Sequence, residues 1–323
     1  MHRLISHIFV TVAALVLASA ASAQSYPAKP ITLIVPFAPG ASADGIARIV
    51  GRELAQLLGQ PVVVENKAGA GGALGLMAVA KSAADGYTIG LGATGAIAVN
   101  PHLPDAPPLQ PQQDLMPLAK LADIPLVFVT SSSSGYGNLQ AFLKAARNTP
   151  GGLSYGTAGQ YTSQHLSGEL LSNLAGVPLV PIPYRGSGPA VTDLLGGMVP
   201  AAMVDLTSVY PHVKAGKLVA LGLTSAKRSK VAPELPTLAE EGIAGYAAPA
   251  WMGLFLPAKT PVEVRNRLSG ALQKVMANPT VQSQIQGLAA EPAYLEPQAF
   301  GEFIASETKK WGSVIARIQQ VTK

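Results

Sequence analysis

Residues 31–58 read ITLIVPFAPGASADGIARIVGRELAQLL. The run Ile31-Thr32-Leu33-Ile34-Val35 is short, apolar and rich in β-branched residues, the composition of a strand covered on both faces of a parallel sheet. Pro36 and Pro39 stop that strand and keep a helix from starting early. Gly40-Ala41-Ser42-Ala43 then supplies a permissive turn, with Ser42 placed to cap a helix. From Ala43 onward Ile46, Ile49, Val50, Leu54, Leu57 and Leu58 recur at helical spacing. A strand, a small-residue loop and a helix N-terminus in this order present free backbone N–H groups to an anion.

An ordinary strand-to-helix connection has the same pattern, and Asp44 in the first turn complements the helix dipole with or without a ligand. Two phosphate-binding readings fail. The loop lacks the Gly-Lys-Ser/Thr ending of a P-loop, and it lacks the second and third glycines of a dinucleotide fingerprint.

Upstream, His2 and Arg3 precede an apolar run over residues 8–18, and Ala21-Ser22-Ala23 closes the segment before Gln24. This is the pattern of a secretory signal peptide over residues 1–23, with cleavage near Ala23 and an exported mature chain. The sequence has 323 residues, 23 Lys plus Arg against 18 Asp plus Glu, and no Cys. Losing Arg3 with the leader lowers the formal charge from +5 to +4. The absence of Cys excludes disulfides, Cys metal sites and a lipid-modified Cys anchor. A chain of this length buries large cores without staples, and two domains are the natural expectation. The tightest basic cluster, Lys227-Arg228-Ser229-Lys230, is too short and too poor in aromatics for a nucleic-acid surface.

Downstream the alternation continues. Val62-Val63-Val64 reads as a strand, and Gly69-Ala70-Gly71-Gly72 as a loop feeding a helix with Leu76 and Val79. Residues 87–91 read as a third strand, so three βα units in a row predict a parallel sheet with helices on both faces. Six prolines over residues 101–117 predict an irregular connection. Residues 126–129 form a strand, and residues 131–135 have hinge composition. Asn138 caps a helix reaching Arg147. Residues 153–175 repeat the opening pattern: a strand, the loop Thr157-Ala158-Gly159-Gln160-Tyr161-Thr162-Ser163, then a helix, again without Lys or Arg in the loop. Strands at 180–183, 201–204 and 219–223, with a short helix near 237–241, complete a second α/β block. A strand at 250–256 and helices at 261–277, 279–287 and 297–318 are too few for a third domain and return to the first. The expected organisation is one lobe of residues 24–125 plus 248–323 and a second of residues 126–247, with crossings near 125–131 and 247–256.

Catalytic and metal chemistry finds little support. His102, His165 and His212 lie in unrelated contexts, with no metal-ligand spacing. The hydrolase motif G-x-S-x-G is not met at Arg185-Gly186-Ser187-Gly188. Ser163 and His165, two residues apart, face different sides of a helix. No nucleophile–base–oxyanion set is legible, so no enzymatic activity and no cofactor are expected.

Several motifs, in order and spacing, carry a resemblance: Val64-Glu65-Asn66-Lys67 with the glycines at 69–72; Ala84-Asp85-Gly86-Tyr87-Thr88; Asn100-Pro101-His102-Leu103; Tyr155-Gly156-Thr157-Ala158-Gly159 with Ser163 and His165; Tyr184-Arg185-Gly186-Ser187 with Asp193-Leu194-Leu195-Gly196-Gly197; and Trp251-Met252-Gly253-Leu254. Over essentially the whole mature chain the sequence resembles the Bug-type periplasmic solute receptors of tripartite tricarboxylate transporters. The resemblance implies an α/β two-lobed periplasmic binding protein, a Venus flytrap of type II-like topology, with its ligand cleft between the lobes. It implies a monomer that captures a small organic carboxylate and passes it to the membrane subunits of a transporter. A binding protein of the same fold that docks on a sensor kinase is the alternative. It places the ligand grip at Phe37, Gly40, Ala41, Ser42, Ala43 and Asp44 in one lobe and at Thr157, Ala158, Gly159, Tyr161 and Ser163 in the other. Thr94 and Asp205 are implied as further contacts, with Asp205 binding an amine or ordering water and loops. Two departures from the family pattern bear on the ligand: Ala41 where relatives carry Gly, and Tyr161 where they carry a small or amide residue. Tyr161 either lines a slot for an aromatic ligand or covers the loop.

Overall fold

The computed structural model describes residues 26–321 apart from Pro104, so the expected signal peptide lies outside the described residues. Strands β1 (Ile31–Val35), β2 (Val62–Asn66), β3 (Thr88–Ala93) and β4 (Leu115–Ile124) build one sheet with the late strands β10 (Ala250–Pro257) and β11 (Glu291–Leu295). Its order is β11-β4-β10-β3-β1-β2. The second sheet takes β5 (Leu126–Ser131), β6 (Leu153–Thr157), β7 (Leu179–Pro183), β8 (Ala201–Asp205) and β9 (Leu218–Leu223) in the order β7-β6-β8-β5-β9. The two orders follow one pattern. Each sheet places its second, first and third strands side by side, then a strand arriving from the other lobe, then the fourth.

Neither sheet is purely parallel, and this corrects the sequence reading. β1 pairs in parallel with β2 and β3, but β10 runs antiparallel to both β3 and β4. In the second sheet β6 is parallel to β7 and β8, while β5 is antiparallel to β8 and β9. The reason lies in the chain path. A strand entering a lobe starts at the cleft and runs away from it, whereas β1, β3, β6 and β8 run toward the cleft and deliver their loops there. In open α/β sheets ligands bind outside the carboxyl ends of such strands.

Helices α1 (Ser42–Leu58) and α2 (Ala73–Ala80) belong to the first lobe, followed in the second by α3 (Leu139–Asn148), α4 (Ser163–Ala175), α5 (Ser187–Leu195) and α6 (Leu206–Lys214). The chain then returns through α7 (Val262–Ala277), α8 (Pro279–Gly287) and α9 (Pro297–Val321). In α1 the expected periodicity is realised, with Ile46, Val50 and Leu54 fully buried and Gly59 ending the helix in a left-handed conformation. None of the described helices is long and apolar enough to cross a membrane.

Two strands escaped the sequence reading, and proline is the reason for both. Pro117 sits inside β4, where it pairs with Phe255 beside a register shift. Pro292 sits in β11, the edge strand of its sheet. Bulges and edges are where a missing N–H is tolerated. The expected helix near 237–241 is a turn instead. Thr237 and Glu240 exchange capping bonds, with Thr237 N donating to Glu240 Oε2 at 2.8 Å, but Gly242 at φ 101° ends the turn at once.

The chain passes between the sheets at Pro125, which alone separates β4 from β5, and again between β9 and β10. Leu206 N donates to Pro125 O at 2.8 Å, Thr224 N to Leu126 O at 2.9 Å and Ala248 N to Thr224 O at 2.8 Å, which holds the two crossings side by side. Residues 131–135, read as a hinge, lie at the far end of β5. Ser132 N is bonded there to Lys217 O at 3.1 Å. A strand that starts at the cleft must end away from it, so that hinge assignment is corrected.

Candidate functional site

Four helix N-termini converge between the sheets. α1 follows the loop after β1, and α4 follows the loop after β6. α5 starts at Ser187 after Gly186 (φ 133°), and α6 starts directly after Asp205, the last residue of β8. They surround a narrow cavity lined by backbone and small side chains. Phe37, Ala41, Ser42 and Ala43 come from the first loop, Ala93, Gly95, Trp251 and Met252 from the β3 and β10 ends, and Ala158, Thr162, Ser163, Gln164, Ser187 and Asp205 from the second lobe. Neither Lys nor Arg lines it. Positive helix ends, backbone N–H groups and small hydroxyls thus supply the field for an anion.

Asp205 stands at the centre. It is 3% exposed, and its carboxylate accepts from Ser42 Oγ of the first lobe and from Gln164 Nε2 of the second. Burial pushes its pKa above the ordinary carboxylate value, and the donors of Ser42, Gln164 and Ser187 offset only part of that. The expected capping role of Ser42 is corrected. Ala41 occupies the N-cap with extended backbone and no side-chain cap, and Ser42 spends its hydroxyl on Asp205 across the cleft.

Six of the implied contacts stand behind the cavity and shape its walls. Asp44 accepts from Gly40 N at 3.0 Å, Asn66 Nδ2 at 3.0 Å and Arg48 Nη2 at 2.9 Å. Burial works to raise its pKa, but bonds from Arg48, Gly40 and Asn66 outweigh that and hold it below the usual value. Asp44 therefore fastens the first loop, with Gly40 as its partner at φ 81°. Thr157 Oγ1 accepts from Gly159 N at 3.3 Å, which ties both residues into the second loop. Thr94 Oγ1 accepts from Trp251 N at 2.8 Å and joins β10 to the end of β3. Tyr161 adopts a left-handed conformation (φ 63°), donates its N–H to His165 Nδ1 at 3.0 Å and lays its ring near the imidazole. Of the two readings of Tyr161, covering the loop is the one the geometry matches. His165, whose pKa burial lowers, serves that loop as a neutral acceptor.

Sequence reasoning missed Gln164, Ser187, Trp251 and Met252 as cavity residues. Ser187 had a signal. Gly186-Ser187 followed by Pro189 is another strand–glycine–helix start, tested above only against a hydrolase motif. Gln164 had none, because its reach to Asp205 depends on how β6 and β8 pair.

The lobes touch through backbone. A Cβ on Gly71 would lie 2.5 Å from Gln160 O, and one on Gly95 would lie 2.6 Å from Tyr161 O. Glycine at these two places lets the loops of opposite lobes approach this closely.

Two α/β lobes with helix N-termini and strand ends facing one cleft define a two-lobed solute-binding protein. Residues 46–320 match the family described as "Tripartite tricarboxylate transporter family receptor", and the chain belongs to that family. This is a family of receptors, not of enzymes. Among relatives, the protein BugT of Bordetella pertussis is 38% identical over 98% of this chain and 97% of its own. The solved periplasmic binding protein BugD superposes with a TM-score of 0.86 at 32% identity, covering 91% of this chain and 99% of that one. An R. palustris protein solved with adipate gives 0.87 at 30% identity, with the same coverage. The Bug-type resemblance and the two-lobed fold read from the sequence are thereby borne out.

Proposed function

We propose that this chain captures a small organic carboxylate in the periplasm, between its lobes, and delivers it as a monomer to the membrane subunits of a tripartite transporter. The observation that carries the reading is the cavity itself. Four helix N-termini and the hydroxyls of Ser163 and Ser187 converge on it, and neither Lys nor Arg lines it. A carboxylate suits such a site because oriented N–H groups and helix ends stabilise a delocalised anion without a buried counter-ion. The R. palustris relative solved with adipate supports the same class of ligand.

A thermal-shift screen against dicarboxylates, tricarboxylates, aromatic acids and amino acids tests the reading. A ligand at about 100 times its Kd, bound only by the folded state, adds about 2.7 kcal/mol and raises the melting temperature visibly. The neutral amide of the best acid is expected to bind at least about tenfold more weakly, because it brings donors where the site already donates. Equal affinity for acid and amide in calorimetry would remove the carboxylate grip.

A further inference from the structure

Outside the inner cavity lies an open vestibule, walled by loop 69–72 of the first lobe and by the stretches around Gln160 and Arg185 of the second. The two spaces adjoin, since Phe37, Gly71 and Ala158 line both. Their junction is apolar where Phe37 and Ala158 face it. Arg185 is exposed and makes no hydrogen bond or ion pair among the described residues. Its neighbours leave it unopposed. No acid lines the vestibule, Asp193 is engaged by the Tyr184 hydroxyl at 2.7 Å, and Lys67 is held by Glu65 at 3.2 Å.

The facing loop has an unusual backbone. Gly69, Ala70, Gly71 and Gly72 all have positive φ, at 143°, 48°, 62° and 100°. Such a conformation is costly for Ala70, which carries a Cβ. The N–H groups of Ala70 and Gly71 take no acceptor among the described residues. A run of this kind turns successive N–H groups toward one side, a concavity suited to an anion. Opposite it stands a guanidinium whose fork matches a carboxylate.

We propose that this vestibule is a second carboxylate subsite, in which Arg185 and loop 69–72 hold the far end of an α,ω-dicarboxylate. The proposal rests on the reading that the inner cavity takes the first carboxylate. The methylene chain passes the apolar junction at Phe37 and Ala158. Because Arg185 and loop 69–72 belong to different lobes, the second carboxylate also adds to lobe closure.

Calorimetry with the α,ω-diacids from succinate to pimelate, each against the monoacid of equal length, tests this on the wild type, Arg185→Gln and Arg185→Lys. In the wild type at least one diacid is expected to bind at least about tenfold tighter than its monoacid, the usual scale for a charged hydrogen-bond partner. Arg185→Gln should lose that margin while binding the monoacid within about twofold of wild type, and Arg185→Lys should keep part of it. The subsite is overturned if the wild type does not discriminate, if Arg185→Gln binds the diacid unchanged, or if it loses both acids equally. Binding of monoacids without preference leaves the carboxylate-receptor reading standing and ends this one. Binding of no acid at all ends both.

Discussion

Gly95→Ala is expected to weaken ligand binding by roughly 10- to 100-fold without unfolding either lobe. The three atoms an added Cβ would meet all belong to the opposite lobe: Tyr161 O at 2.6 Å, Thr162 Cα at 2.9 Å and Ser163 N at 3.2 Å. Backbone cannot swing aside as a side-chain tip can, so the methyl group must hold the lobes apart. Gly95 is not among the residues with positive φ, so alanine fits its own backbone. The clash therefore exists only in the closed form, and a substitution that opposes closure takes its cost from the affinity of a ligand that bridges the lobes. The variant should melt near the wild-type temperature without ligand and lose most of the stabilisation that the tightest acid of the screen confers. Full-strength binding by Gly95→Ala would mean that this approach of the lobes plays no part in capture.

The second large effect concerns Asp205 and pH. Burial places the folded pKa of this carboxyl above its unfolded value. A group shifted in this direction contributes stability below the unfolded pKa and loses it as the pH rises through the folded one. At neutral pH the ionised carboxylate is thus a cost that Ser42 and Gln164 only partly relieve. A ligand carboxylate arriving beside it makes that cost larger, since two adjacent carboxylates do not both stay ionised easily. Capture should therefore take up a proton. Affinity is expected to rise on acidification from neutral pH toward the ordinary carboxylate range, by up to about tenfold per pH unit. Asp205→Asn keeps an acceptor for Gln164 and removes the charge. It should flatten that profile and melt above the wild type at neutral pH, with the gap closing in acid. An affinity that falls on acidification, before the ligand itself titrates, would instead assign Asp205 to an ammonium group.

The architecture was legible because each local signal agreed with the global one. The strand of residues 31–35, the prolines after it and the apolar stripe of α1 all specify one strand–loop–helix unit, and the same reading worked at β6 and α4. The strands that escaped, β4 and β11, contain prolines whose tolerance depends on a bulge and a sheet edge, which are tertiary facts. The site divided in the same way. Small residues at loop positions, such as Ala41, Ala43, Ala158 and Ser163, announced the cavity. Which polar groups face it and which stand behind was not readable, because Asp44 and Thr157 are consumed by loop bonds visible only in three dimensions. Asp205 emerged only through the family resemblance, and its partners Ser42 and Gln164 come from chain positions 163 and 41 residues away.

Hydrogen exchange with and without a saturating carboxylate tests the central claim, capture by closure of two loops on one ligand. Residues 39–44 and 157–163 are expected to gain protection together, because a ligand in the proposed site would touch helix N-termini of both lobes at once. Protection of one loop, with the other exchanging at its free rate, would place the site on a single lobe and contradict this account.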